Sequence, residues 1–468
     1  MELKSRETLF LAVIFLLSLG LRLVSSAVEP VRWWDETVYA NLGWDLRADP
    51  FDYSFSRGWS DYVPGDWPKA GFRAPLLPYT LAVMYLLGLG PGILLPFIGA
   101  LSVVAIYFLG REMFGERVAL YSSVLLAVLP VHVYYSGKIL TGVFGTFFLM
   151  VSVWCFWKGF EKGENRYKVL FGVFLALSLL ARYTVLFLVP VFPLYLFLRD
   201  RSFGFLRDRY LWLGVLAFSA ILVPWFVYGL LQYGTPLGPI LHAKKAASYW
   251  GGVQPWDFYL SNSFGAFSLL LPVFLFSLAY FWLRGVKRET AFLMLWFFTF
   301  LVALQMIPHK EVRFLIPAVP PVVLLSSAAL SGIRIRRGVF AGLALAIFLH
   351  SALSLYAVAE ATGNQKNLCL LEAFEFLSGT DRASVVITDQ SPVVYFYVKR
   401  ETHFYPGTGL SDIQNLARTY GGRPVYVLWE DGKGSELKNE LDAEYPALFS
   451  CPPDRPLIVV YGVVNRTQ

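Results

Sequence analysis

Long apolar runs broken by short polar stretches fill the first three quarters of the chain. Such runs lie at about 8–27, 92–110, 118–135, 141–157, 169–181, 184–198, 210–229, 263–283, 290–307, 313–330 and 338–357. A bilayer crossing takes about 20 apolar residues, and LWLGVLAFSAILVPWFVYGLL (211–231) is a clear example. The pattern predicts about eleven transmembrane helices. APLLPYTLAVMYLLG (74–88) is apolar too, but it is short, carries two prolines and runs into GLGPG, so it reads as a re-entrant or interfacial helix. Beyond about residue 360 the pattern changes. VVIT (385–388), PVYVLW (424–429) and PLIVVYGV (456–463) look like buried strands. SDIQNLARTYGG and SELKNELDAEY have helical periodicity, the first with a glycine stop. The expected fold is an all-α polytopic membrane protein with a C-terminal extracytoplasmic α/β domain. The expected boundaries are a membrane domain over 1–358, with a long first outer loop at 28–73, and a soluble domain over 359–468.

Charge sets the orientation. With 74–88 not crossing and the N-terminus inside, the inner loops carry 18 Lys and Arg, and the much longer outer loops carry 11. The positive-inside rule favours this arrangement. The N-terminus is then cytoplasmic and the C-terminal domain extracytoplasmic, in a cell-membrane protein. Charged residues make up 16% of the 468 and hydrophobic ones 56%, against the roughly 25% charged of a soluble domain. A signal peptide followed by a soluble domain is excluded, because the apolar runs recur. The net charge of +7 therefore signals topology and lipid-phosphate contacts, not nucleic acid. Of three cysteines, Cys155 lies in an apolar run and reads as a core residue. Cys369 and Cys451 are able to pair if their region faces an oxidising space, but spacing alone does not decide it. Asn465-Arg466-Thr467 fits a glycosylation acceptor, a pattern common by chance.

Five stretches carry candidate chemistry. The loop after the first span begins VRWWDETVYA, with Asp35 and Glu36 behind Trp33 and Trp34. Interfacial tryptophans are ordinary; an acid pair held at the membrane edge is not. IPHKEVRFLIP (307–317) sets His309, Lys310, Glu311 and Arg313 in a short outer turn, where a solvated hairpin would need only turn formers. Arg182-Tyr183 interrupts LSLLARYTVLFLVP, and a guanidinium there needs a partner. VHVYYSGKILTG holds His132 and Lys138, and KAGFRAPLLPY holds Lys69 and Arg73. On the expected topology all five face the same side. One acid pair facing several fixed cations suits transfer of a sugar carried on a polyprenyl phosphate. A base takes the proton from an acceptor hydroxyl, and cations stabilise the charge that grows on the leaving phosphate.

These residues resemble the GT-C superfamily of membrane glycosyltransferases. That superfamily includes protein O-mannosyltransferases, aminoarabinose transferases of lipid A, and mannosyltransferases of dolichol-linked oligosaccharide and GPI-anchor assembly. WWDETVYA is similar to the first-loop motif in which the Asp is the base. FRAPLLPY resembles the Pro-rich stretch of the O-mannosyltransferase branch. HKEVRF resembles the HKE-x-RF motif of the oligosaccharide and GPI branch, and LARYT stands where the lipid A branch has a basic residue. The resemblance covers roughly 1–360. SGKILTGVF departs from it, offering Thr141 where many O-mannosyltransferases carry a second-loop acid. A divalent metal is therefore not favoured, and no metal ligands are assigned. The WWDYG motif of oligosaccharyltransferases is missing from the C-terminal region.

The resemblance and the residues together imply a hexosyltransferase, expected to use mannose, that inverts at the anomeric carbon. Asp35 would be the base, with Glu36 orienting it or binding acceptor. Arg182, Lys310, Arg313, Lys138 and Arg73 would hold the donor phosphate. His309, Glu311, Tyr183 and Trp34 would touch sugar or acceptor. The partners would be a polyprenyl-phosphate-linked sugar, a protein, lipid or glycan acceptor, and membrane lipids. A lipid or sugar transporter without transferase activity fits the same span pattern, although such proteins often show internal repeats, and none is seen in the sequence. A non-catalytic anchor for the outer domain would need neither the acid pair nor HKEVR.

Overall fold

The structure is a computed structural model that describes residues 5–54, 70–250, 252–404, 409–432 and 435–463. Lys69 and the Asn465 triplet lie outside the described residues. The chain divides into two compact units, neither continuous in sequence. One comprises 1–27, 73–77 and 92–356, and the other 28–72, 78–91 and 357–468.

The first unit is helical. Among the described residues, eight helices are long and apolar enough to cross a membrane. They become nine if Glu116–Val128 and Pro130–Ser136, bent by 60°, form one broken span. The other two expected spans, 169–181 and 263–283, fall on shorter helices, Asn165–Ala181 and Leu270–Arg284, of 17 and 15 residues, or roughly 25 and 22 Å at 1.5 Å per residue. Each is cut short by local backbone. Arg182 turns extended after Ala181 (φ −155°, ψ 114°). Ser268, just before Leu270–Arg284, takes a positive φ of 55°. The Leu76–Leu86 helix has 11 residues, too few to cross.

Small residues let these helices approach closely. A Cβ on Gly172 would fall 2.0 Å from the Gly214 carbonyl oxygen, so Asn165–Ala181 and Arg209–Tyr233 meet backbone to backbone. Ser178 donates to the Gly145 carbonyl at 2.8 Å, tying Asn165–Ala181 to Thr141–Phe156. Val312–Gly332 is the most enclosed span, 89% buried, whereas Arg209–Tyr233 is mostly exposed apolar surface.

The broken span has an identifiable cause. Pro130 has no N–H to offer the Leu126 carbonyl one turn earlier. Arg22, fully buried in the first helix, donates instead to the carbonyls of Leu126 and Ala127, each at 3.1 Å. It also bonds His132 Nδ1 at 2.8 Å and the Ser18 hydroxyl. A guanidinium inside an apolar helix thus caps the first half of the break and anchors the second.

The second unit contains a five-stranded sheet: β1 (Val385–Thr388), β2 (Glu401–Phe404), β3 (Val425–Glu430), β4 (Ala447–Cys451) and β5 (Ile458–Val463). The order is β2-β1-β3-β5-β4. β1 runs parallel to β2 and β3, and β5 is antiparallel to β3 and β4. β1, β3 and β5 fall on the three strands expected from sequence. β2 and β4 were not foreseen, because ETHF and ALFSC are short and only partly buried. Helices Leu410–Thr419 and Ser435–Glu444 match the periodic segments, and Gln365–Ser378 and Ser391–Val398 complete the layers. Cys369 and Cys451 form a disulfide, with Cα atoms 5.4 Å apart, joining Gln365–Ser378 to β4. Cys155 is free and buried.

Candidate active site

The acid pair belongs to the second unit. It opens the helix Trp34–Leu46, whose N-cap is Trp33. Glu36, at the third helical position, reaches back to accept from the Trp33 amide at 3.1 Å, the carboxylate half of a capping box. Its other oxygen accepts from Arg32 at 3.4 Å, and the side chain is fully buried. Glu36 is thus committed to the helix start. Asp35, one position earlier, is only partly buried. Two adjacent acids therefore have different surroundings: one closes the helix, and the other sits at the surface of its first turn.

The α/β part of the same unit holds this helix in place. Asn41 donates to the Pro392 carbonyl at 2.8 Å, and Tyr395 donates to Asp45 at 2.7 Å. The Arg32 amide donates to the Tyr397 hydroxyl at 3.0 Å. The Trp34 ring meets Phe404, the last residue of β2, edge-on at 6.2 Å. Lys399 donates to Asn41 Oδ1 at 3.3 Å and lies 4.7 Å over the Trp44 ring. Burial pushes its pKa down to about 8, with Asp45 pulling the other way.

The cations belong to the first unit. Arg182, buried at the break between two helices, donates to Thr141 at 3.3 Å and to Thr184 at 2.9 Å. Its guanidinium stands 5.5 Å from the centre of the Phe314 ring. Gly145 makes the room: a Cβ there would fall 2.9 Å from Arg182 Cβ. In the 307–313 turn, Glu311 is the hub. His309 Nε2 lies 2.7 Å from its Oε1, and Arg313 donates to the same oxygen at 2.6 Å. Arg313 also lies 5.7 Å from Phe314, so both arginines share one aromatic ring. The structure thus brings Arg182, Arg313, Glu311 and His309 together around Phe314.

The structure also fixes where the other expected residues stand. Lys310 is buried and donates to the Gln254 carbonyl at 3.2 Å, pinning the 252–262 segment to the turn. Tyr183 accepts from Trp225 Nε1 at 3.0 Å. Lys138 is buried 5.1 Å from the Tyr134 ring centre, and burial lowers its pKa to about 7. Arg73 is half-buried ahead of Leu76–Leu86. Thr184, Phe314 and Tyr259 were not singled out from sequence. Tyr259 is buried, and its hydroxyl pKa is pushed up by burial against the opposing charge of Arg182. Thr141, noted in the sequence only as a missing acid, is a partner of Arg182. Among the described residues, no three His, Cys, Asp or Glu side chains gather as a metal site.

The fold has solved counterparts. ArnT from Cupriavidus metallidurans bound to undecaprenyl phosphate is similar at 15% identity over 98% of each chain, with a TM-score of 0.76. The apo state of ArnT gives 14% identity and a TM-score of 0.74. The archaeal oligosaccharyltransferase AglB from Archaeoglobus fulgidus, in complex with an inhibitory peptide and a dolichol-phosphate, is 16% identical over 89% of this chain and 69% of its own, with a TM-score of 0.54. None of the curated proteins compared with the sequence matches it. The model of the Alg9-like mannosyltransferase family matches residues 89–410, more than half of the chain. The chain is an integral membrane glycosyltransferase of the GT-C type and belongs to the Alg9-like mannosyltransferase family.

Proposed function

We propose that this enzyme transfers a hexose, mannose by family, from a polyprenyl-phosphate-linked donor to an acceptor hydroxyl on the outer face of the membrane. The carrying observation is the Arg182–Arg313 cluster. Two guanidiniums share the Phe314 ring, one donating to threonine hydroxyls and the other to Glu311. Such a pair suits a phosphate whose charge rises as the glycosidic C–O bond breaks. The ArnT and AglB relatives hold undecaprenyl phosphate and dolichol-phosphate, which supports a donor of that class.

Asp35 takes the acceptor proton as the acceptor oxygen attacks the anomeric carbon. The leaving polyprenyl phosphate keeps the bonding electrons, and the sugar inverts. No acid is needed for this leaving group. His309 contacts sugar or acceptor, and Lys310 supports the turn that presents Arg313. Glu36 orients Asp35 by fixing the helix that bears it. The Cys369–Cys451 bond supports an extracytoplasmic second unit, since such bonds persist in oxidising compartments. With the positive-inside count, it supports a cytoplasmic N-terminus.

The test is transfer of radiolabelled sugar from a polyprenyl-phosphate hexose into membrane extract, wild type against Asp35→Asn at matched expression. Loss of roughly 10²–10⁴ in rate is expected for a missing base. Equal transfer by both proteins would remove Asp35 from the reaction. No transfer by wild type with any polyprenyl-phosphate hexose would overturn the donor class.

A further inference from the structure

A polar cavity lies at the far end of the hairpin that carries Arg182. Thr141, the partner of Arg182, starts the helix Thr141–Phe156, which continues as a π-helical turn, Trp157–Glu161. The chain then returns along Asn165–Ala181 to Arg182. From Thr141 to Lys158 is 17 steps, about 25 Å at 1.5 Å per residue. Arg182 and this cavity therefore stand near opposite membrane surfaces.

The cavity has a volume of about 250 Å³ and is lined by Phe108, Trp154, Lys158, Arg166 and Tyr167. Its walls are aromatic: Trp154 meets Tyr167 at 5.4 Å and Phe108 at 6.2 Å. Lys158 is nine-tenths buried, with Nζ 4.4 Å from the Tyr167 ring centre and 5.5 Å from that of Trp154. Arg166 lies 4.9 Å from the Tyr167 ring centre, and its side chain is 74% exposed. Both cations share a single carboxylate, Glu164, at 3.0 and 3.4 Å. One positive charge is left over. The Trp154 Nε1–H is buried and has no acceptor among the described residues.

An ammonium held by Glu164 and the Tyr167 hydroxyl, an indole donor and a surface guanidinium around one small aromatic cavity suit a phosphate that enters with an apolar tail. Basic pockets between spans at a membrane surface take anionic lipid headgroups, and aromatic rings sit at headgroup depth. A free anion would have no use for the aromatic walls. The π-helical turn re-aims Lys158 relative to a straight helix, and such turns concentrate at functional sites.

We propose that this cavity binds the phosphate of an anionic glycerophospholipid from the leaflet opposite the Arg182 cluster. The phosphate accepts from Trp154, Lys158 and Arg166, and its glycerol and first acyl carbons lie along Phe108 and Tyr167. The lipid fastens the end of the hairpin whose other end presents Arg182 and Thr141.

The full-length protein in zwitterionic detergent micelles, with added phosphatidylglycerol or phosphatidylcholine, provides the test. Native mass spectrometry counts retained lipid, and thermal unfolding reads stabilisation. Wild type is expected to retain phosphatidylglycerol in preference to phosphatidylcholine and to gain thermal stability from it alone. Trp154→Phe keeps an aromatic wall, though a smaller one, and deletes the donor, and Arg166→Gln changes an exposed side chain. Each should weaken phosphatidylglycerol retention about tenfold, the value of one charge-assisted hydrogen bond. Combined with Lys158→Gln, they should abolish the preference. If the triple change disturbs folding in lipid-free micelles, the two mild variants decide alone. Undiminished phosphatidylglycerol retention by folded Trp154→Phe and Arg166→Gln would overturn the proposal, as would equal retention of phosphatidylcholine by wild type. Millimolar inorganic phosphate stabilising the protein as well as the lipid does would overturn the assignment to a lipid.

Discussion

Asp35 and Glu36 show how little adjacency says about role. Glu36 is buried on Arg32 and the Trp33 amide, while Asp35 stays at the surface of the first turn. Glu36→Gln keeps an acceptor for the Trp33 amide and loses only the charge. It should slow transfer less than about tenfold, against the much larger loss expected for Asp35→Asn. If Glu36→Gln proves as inactive as Asp35→Asn, the roles must be exchanged. Lys399 allows a second test at this scale. Its folded pKa of about 8 lies below the ordinary lysine value of 10.5 because of burial. Between those values the unfolded chain binds more protons than the folded one, so stability rises with pH. The contribution is complete above the unfolded value and lost as pH falls through about 8. The unfolding free energy of the second unit should climb by roughly 1–3 kcal/mol from pH 8 toward 10, read as a rising thermal midpoint, and Lys399→Met should flatten that climb. A wild-type profile no steeper than that of Lys399→Met would refute the linkage.

At the level of elements, the break between Glu116–Val128 and Pro130–Ser136 is repaired from outside, by Arg22. Arg22→Met would leave the carbonyls of Leu126 and Ala127 without their donor. A loss of about 3–5 kcal/mol is expected from breaking such a buried arrangement, read as a lower unfolding midpoint in detergent. Arg22→Lys should recover part of it. Unchanged stability in Arg22→Met would mean that water or lipid satisfies those carbonyls as well. This element also marks where sequence reading stopped. Arg22 stands in LSLGLRLVSS, an arginine inside an apolar span, the same signal that drew attention to Arg182. Its partner, a proline break over 100 residues away, cannot be seen from spacing. The spans themselves were legible because apolar periodicity is local, and so were β1, β3 and β5. The strands β2 and β4 were not, because their hydrogen bonds come from neighbours distant in sequence and their side chains are half polar. Phe314 was hidden for the same reason: it gains meaning only once both Arg182 and Arg313 are seen against its ring.

Over the whole molecule, the division of the chain runs across the sequence order. The loop that bears Asp35 is built into the unit of the C-terminal sheet, through Asn41 to Pro392, Tyr395 to Asp45 and Trp34 against Phe404. The position of the proposed base therefore depends on the stability of a domain some 350 residues later in the chain. That domain is small, and its Cys369–Cys451 bond closes a separation of 82 residues. A loop of this size stabilises by about 4 kcal/mol through the unfolded chain, a large share of the total for a domain of this size. Replacing both cysteines by serine should make the second unit far more sensitive to protease, while the apolar helices of the first unit stay protected by detergent or lipid. Transfer should fall with it, in proportion to the loosened fraction, and lowering the temperature should restore it. That recovery separates a positional dependence from a chemical one, since Asp35→Asn should gain nothing on cooling. A double-serine variant that resists protease like wild type would mean that the buried apolar cluster of Phe374, Val386, Val394 and Val460 suffices. One that unfolds its second unit yet transfers at the wild-type rate would detach the base from this domain altogether.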